Sequence, residues 1–229
     1  MDEWQRAQAP GLADLDDYPD DEPHPRIFFS LVEVAHLSAS VIVLTVAFSL
    51  IMGARTGAGF GFVLDVDALL TLLPFAAMAV VPAFILHELA HKIAAQRRHM
   101  WAEFRANFLG LFGGLAMTAF TGFLFAVPGA VHIVGHASKR DSGVISIVGP
   151  IVNLVIGYGA MFSEPLFPPI RVAGFGSFFE LLVLLNGILA GFNMLPIGPL
   201  DGRKVLRWSW LAFVGMWLMV IGLFVLQFA

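Results

Sequence analysis

Apolar residues in this chain run almost unbroken over five stretches, at roughly 31–53, 68–90, 143–162, 176–197 and 208–228, with charged or proline- and glycine-rich breaks between them. A helix rises about 1.5 Å per residue and the hydrocarbon layer of a bilayer is about 30 Å thick, so ~20 apolar residues are enough to cross it. Each stretch is predicted to be helical, because lipid offers the backbone no hydrogen-bond partner. A sixth apolar stretch, 107–127, reads differently. Lys92, Arg97, Arg98 and Arg105 follow the second span, Lys139 and Arg140 precede the third, and Arg203, Lys204 and Arg207 follow the fourth. The positive-inside rule makes all three loops cytoplasmic. The segment 107–135 then begins and ends on one side. Its glycines at 110, 113, 114, 122, 129 and 135, Pro128 and the β-favouring run FTGFLFAV predict a re-entrant, partly extended hairpin. The alternative is a sixth helix with Lys139 and Arg140 outside. The expected fold class is an all-α polytopic membrane protein of five transmembrane helices, or six, with a re-entrant, partly β segment between the second and third spans.

Composition agrees and narrows the chemistry. Of 229 residues, 58% are hydrophobic and 13% charged, with mean hydropathy +0.82, against roughly half apolar and a quarter charged in soluble domains. The absence of cysteine excludes disulfides, thiolate zinc ligands and a thiol nucleophile, so any metal must be held by His and carboxylate. Charge is uneven: residues 1–31 hold eight acidic residues against Arg6 and Arg26, net −6, whereas the remainder is net +2. The acidic, proline-broken start is expected to remain flexible, as residues 1–28 on the cytoplasmic side, and does not read as a secretory signal peptide. Residues 29–229 are expected to form the membrane-embedded domain. Nothing points to a nucleic-acid partner.

The chemistry is concentrated in HELAHK, at the end of the second span. Residues four apart share a helix face, so His87 and His91 can converge on one ion while Glu88 stands beside an open coordination position. Roughly 0.006 matches to HExxH are expected by chance in a chain with seven His and seven Glu, and ionisable residues in a membrane helix mark function by default. A catalytic zinc takes three protein ligands and leaves a fourth place for water. Candidates for the third are Glu103, Asp141, Glu180, Asp201, His132 and His136. The topology puts Asp201 level with His91, whereas Glu180 falls at the opposite end of its span. His132 and His136 are four apart, but Pro128, Gly129 and Gly135 oppose a helix there, and they read as polar loop residues.

Around Asp201 runs FNMLPIGPLDG, in which Pro196 and Pro199 break helical hydrogen bonding and can turn side chain and backbone into a cavity. Asn193, two turns before Asp201, is placed to donate to a substrate carbonyl or oxyanion. Glu33 and His36 in the first span read as interfacial anchors or as partners of a neighbouring helix. Trp208 and Trp210 suit an aromatic belt.

HExxH in one membrane helix, with Asn193, Pro196, Leu200, Asp201 and Gly202 filling NxxPxxxLDG in a later one, resembles the site-2 protease family of intramembrane zinc metalloproteases. GPIVN, Gly149 to Asn153, is similar to that family's GPxxN core helix. The resemblance covers about 68–207, and the absence of a stretch reading as a PDZ or CBS module fits a minimal member. The 107–135 insertion is longer and more apolar than in short members. The resemblance implies one Zn2+ held by His87, His91 and Asp201, Glu88 as base and then acid, and Asn193 as a substrate or oxyanion contact. Asn153 reads first as a helix-packing amide and second as a substrate contact. It implies an endopeptidase in the cell membrane, opening to the cytoplasm, that cuts membrane-anchored proteins within or near their spans. Such a substrate must unwind before its carbonyls can be attacked, and a strand edge at 115–127, including Phe123 and Phe125, is expected to pair with it. The competing reading is a silent metal-binding or client-helix-binding regulator on the same scaffold. Glu88 argues against it, since a metal store needs no carboxylate between its ligands.

Overall fold

The computed structural model describes residues 27–55, 66–122, 128–172 and 176–228. The acidic start up to residue 26 and the expected strand positions Phe123 and Phe125 lie outside them. In chain order the elements are α1 (Leu31–Arg55), α2 (Val66–Val80), a π-turn (Val81–Ile85), α3 (Leu86–Gln96), β1 (Trp101–Ala106), α4 (Phe108–Thr121), β2 (Gly129–Val134) and α5 (Lys139–Ser163). A 3-10 turn (Glu164–Leu166), the short pair β3 (Arg171–Val172) and β4 (Gly176–Ser177), then α6 (Phe178–Asn193), α7 (Asp201–Trp208) and α8 (Trp210–Phe228) complete the chain.

Four helices among the described residues are long and apolar enough to cross a bilayer: Leu31–Gly53, Val66–Gln96, Lys139–Leu166 and Trp210–Phe228. The protein is an all-α polytopic membrane protein. Many large apolar side chains point outward, as a lipid solvent permits, including Leu31, Leu109, Val155 and Leu218. The stretch expected as a span at 176–197 is shorter: α6 has 16 residues. Ser177 caps its start by accepting from the Glu180 N–H, and beyond Asn193 the prolines at 196 and 199 stop the helix. Sixteen residues rise about 24 Å, short of the hydrocarbon thickness. The chain can therefore turn while still at membrane depth.

The segment between α3 and α5 is partly β, as expected, with its strands at the two ends: β1 and β2 pair antiparallel from Trp101↔Val134 to Ala106↔Gly129. Between them, residues 108–121 are helical. Asn107 caps α4 by accepting from the Gly110 N–H, and Gly122 closes it in the left-handed conformation. The helix over 108–121 removes the strand edge expected at 115–127, as far as the described residues go. The pairing of Ala106 with Gly129 brings the segment's two ends side by side, so it leaves on the side it entered, as the re-entrant reading requires.

Glu33 and His36 bind neighbouring elements. One Glu33 oxygen accepts from the Phe104 N–H at 3.0 Å and the other pairs with Lys92, while His36 Nδ1 accepts from the Ala106 N–H at 3.2 Å. Lys92 also lies over the Phe29 ring, 4.2 Å from its centroid. Residues one helical turn apart on α1 thus cover the outer edge of β1 and tie it to the helix bearing HELAHK. At the centre of the bundle, α5 packs against α3, α6, α7 and α8. One apolar core joins α1, α2, β1, α4 and α6 through Phe48, Leu72, Phe84, Phe104, Leu111 and Leu185. A second joins α5 to α8 through Leu154, Val183, Val205, Met216 and Leu223.

Candidate metal centre

His87 and His91 stand one turn apart on α3, their rings edge to face with centroids 4.7 Å apart. Asp201 begins α7. After α6 ends, the chain folds back so closely that a Cβ on Gly202 would lie 2.0 Å from the Met194 carbonyl oxygen, and only glycine fits that approach. The result is a triangle of ligand atoms. Asp201 Oδ2 lies 3.5 Å from His87 Nε2 and 3.1 Å from His91 Nε2, and the two Nε2 atoms are 3.0 Å apart. Among the described residues this is the one cluster of three metal-binding types within 4.8 Å of one another.

The hydrogen bonds behind the rings decide what this triangle can hold. His91 Nδ1 lies 2.7 Å from the Ile145 carbonyl oxygen, which can only accept, so the proton is on Nδ1. His87 Nδ1 lies 2.6 Å from Asn153 Oδ1. The Asn153 amide nitrogen donates to the Ala83 carbonyl and to Asn186 Oδ1, both at 2.9 Å, so its oxygen must face His87, which donates from Nδ1. In neutral rings both Nε2 atoms then carry only lone pairs. The Asp201 carboxylate oxygen is a third acceptor facing them. Three electron-pair donors at such distances repel unless a cation or a shared proton lies among them. Zinc ligands at about 2.0–2.1 Å in a tetrahedron stand about 3.3 Å apart, so the triangle and its chemistry fit that ion.

Room for an ion comes from α5. A Cβ on Gly149 would fall 2.4 Å from His91 Nε2 and 2.7 Å from His87 Cε1. Any side chain there would press into the rings, so Gly149 and Asn153 of GPIVN divide the task, one leaving space and the other orienting His87. The π-turn before α3 contains Pro82, which has no N–H to give, and the turn's Ala83 carbonyl receives the Asn153 amide.

Glu88 is buried next to the triangle, with His87, Asp201 and Lys204 as its electrostatic neighbours. Among the described residues it makes no hydrogen bond or ion pair, which leaves its carboxylate available. Asn193 ends α6, and its amide donates to the Leu189 carbonyl one turn back at 3.0 Å. Among the described residues that bond uses one of its two N–H groups.

The other candidates for a third ligand are occupied or distant. Asp141 forms a capping box with Ser138 at the start of α5 and pairs with Arg98 at 3.2 Å. Glu103 pairs with Arg105 at 3.1 Å and accepts from Ser30. Glu180 lies in the first turn of α6, at the other end of that helix from the chain leading to Asp201. His132 is on β2 and His136 beyond it, both exposed. Trp208 packs on Gly143, and Trp210 is exposed. Asn153 was legible as a helix-packing amide, whereas Asn186, its partner behind His87, was missed, although a polar side chain in the middle of an apolar helix was a signal for it.

Relatives carry the same chemistry in their names. A Methanocaldococcus jannaschii protein called "Putative zinc metalloprotease MJ0611" is 37% identical over 133 residues, 58% of this chain and 69% of its own length. Bacillus subtilis "Putative zinc metalloprotease YwhC" is 29% identical over 154 residues, 60% of this chain and 70% of its own. "Zinc metalloprotease MJ0392", also from M. jannaschii, is 28% identical over 123 residues, 54% of this chain but 30% of its own. No family model matches the chain, and no solved structure does. The match to the first relative covers more than two thirds of that protein, and a buried two-histidine, one-aspartate triangle suited to zinc lies in a membrane bundle: the chain belongs to the zinc metalloproteases of the site-2 protease type.

Proposed function

We propose that the protein is an intramembrane zinc endopeptidase that cuts membrane-anchored proteins within or near their spans, with His87, His91 and Asp201 as metal ligands. The carrying observation is the triangle of acceptors on helices of an apolar bundle, with an unengaged carboxylate, Glu88, beside it. Residues 29–229 act as one protease unit, with a catalytic core over 68–207.

A zinc ion held there supplies the polarisation of a peptide carbonyl and the acidification of a water molecule. Glu88 takes the water's proton and later delivers it to the leaving amine. Ile145 and Asn153 keep both rings turned with Nε2 inward, and Asn193 gives its spare N–H to the carbonyl oxygen as charge develops there. The basic residues after α3, before α5 and on α7 support an opening toward the cytoplasm of a cell membrane, through which water enters. An unwound substrate needs a strand partner. The outer edge of β1 is taken by Glu33 and His36, so the substrate pairs with the outer edge of β2, beside α3.

The test is a single-span peptide co-reconstituted with the zinc-loaded protein in lipid vesicles, with products mapped by mass spectrometry. Cleavage within or next to the span, abolished by a chelator and restored by zinc, is expected. Cleavage confined to soluble, unfolded chains such as casein would contradict the intramembrane reading, and tight zinc binding without any cleavage would favour the silent binder.

A further inference from the structure

The hydrogen bond that orients His87 does not end at Asn153. From Asn153 it continues into α6, to a residue that no chemistry has so far required. Asn186 and Asn153 are both fully buried, 0% exposed, in helices otherwise apolar at that level. The Asn186 amide nitrogen donates to the Leu182 carbonyl at 2.9 Å. That carbonyl can only accept, so Asn186 turns its oxygen toward Asn153. Asn153 spends one N–H on that oxygen and the other on Ala83, and only its own oxygen is left for His87. The direction of every donor is fixed from the α6 backbone to the imidazole.

We propose that Asn186 is a positioning residue for the metal centre, acting through Asn153 to keep the proton of His87 on Nδ1 and a lone pair on Nε2. The inference rests on the reading of His87, His91 and Asp201 as metal ligands. Removing the Asn186 oxygen orphans one Asn153 N–H in an apolar interior and leaves Ala83 alone to hold the amide's orientation. A rotated Asn153 would offer N–H instead of oxygen to His87. The ring would then move its proton to Nε2, where it blocks a cation. Outer hydrogen-bond partners of this kind are typically worth about 10–100-fold in metal affinity.

The experiment measures zinc affinity of the purified full-length protein by competition with a chromogenic chelator, alongside thermal unfolding of the metal-free form. Asn186→Ala is expected to bind zinc at least about tenfold more weakly than wild type. Asn186→Thr and Asn186→Val have nearly the same shape, but the threonine hydroxyl can donate to Leu182 and still accept from Asn153. This pair isolates the acceptor even if the alanine variant does not fold. The threonine form is expected to bind zinc about tenfold more tightly than the valine form. Equal zinc affinity in the two, whatever their unfolding temperatures, would overturn the proposal and leave Asn186 a packing residue. Wild type binding zinc no more tightly than His87→Ala would instead overturn the metal-centre reading beneath it.

Discussion

Glu88→Gln is expected to lower kcat by about a hundredfold to ten-thousandfold, the usual worth of a positioned general base, while the bound zinc remains. The two halves of that expectation have different origins. The triangle of Nε2 and carboxylate oxygen atoms uses no atom of Glu88, so zinc content should stay at the wild-type level. Proton transfer is lost because a Gln amide cannot take up a proton near neutral pH. Parallel metal analysis and single-turnover cleavage check both. Loss of zinc in this variant would make Glu88 a ligand, and near-normal cleavage would remove it from the mechanism.

The second large effect concerns stability. Lys92, the residue after His91, forms an ion pair with Glu33 in which both partners are almost fully buried, at 2% and 1% exposure. Removing one partner leaves a buried charge uncompensated, which typically costs about 3–5 kcal/mol. Lys92→Met is therefore expected to lower the unfolding temperature of the metal-free protein by about 10 °C, given a few degrees per kcal/mol in a chain of this size. Replacing both residues, as Lys92→Met with Glu33→Leu, should recover much of the loss, since two apolar groups of similar volume need no partner. The recovery will be incomplete because Glu33 also accepts from the Phe104 N–H, and the double variant leaves that donor unpaired. Thermal scans of wild type, both single variants and the double variant in detergent measure the coupling. Additive losses would show that the two charges do not support each other.

The parts of this protein legible in its sequence are those fixed by local spacing. His87 and His91 share a face because a helix repeats every 3.6 residues. Pro196 and Pro199 announced a broken helix before Asp201, and the sorting of lysine and arginine anticipated a segment that returns to its starting side. What escaped depends on partners far along the chain. FTGFLFAV has strand-like composition, yet its first two residues, Phe120 and Thr121, end the helix that Asn107 caps and Gly122 closes. Among the described residues the strands of this segment are WAEFRA and GAVHIV, where β2 alternates Val131 and Ile133 inward with Ala130 and His132 outward. Hydropathy likewise extended α6 through residues 194–197, because a window average does not register the two prolines that end the helix. The commitment of Glu33 to Lys92, and of Asn186 to Asn153, joins residues 59 and 33 positions apart, and no local pattern reports such bonds.

X-ray absorption at the zinc edge, on wild type and Asp201→Ala, addresses the centre itself. The wild-type protein should hold one zinc per chain with a nitrogen and oxygen shell at about 2.0–2.1 Å and the scattering signature of two imidazoles, and Asp201→Ala should lose the ion or most of its affinity for it. A spectrum and zinc content unchanged by Asp201→Ala, or a wild-type protein that retains no zinc, would contradict the account.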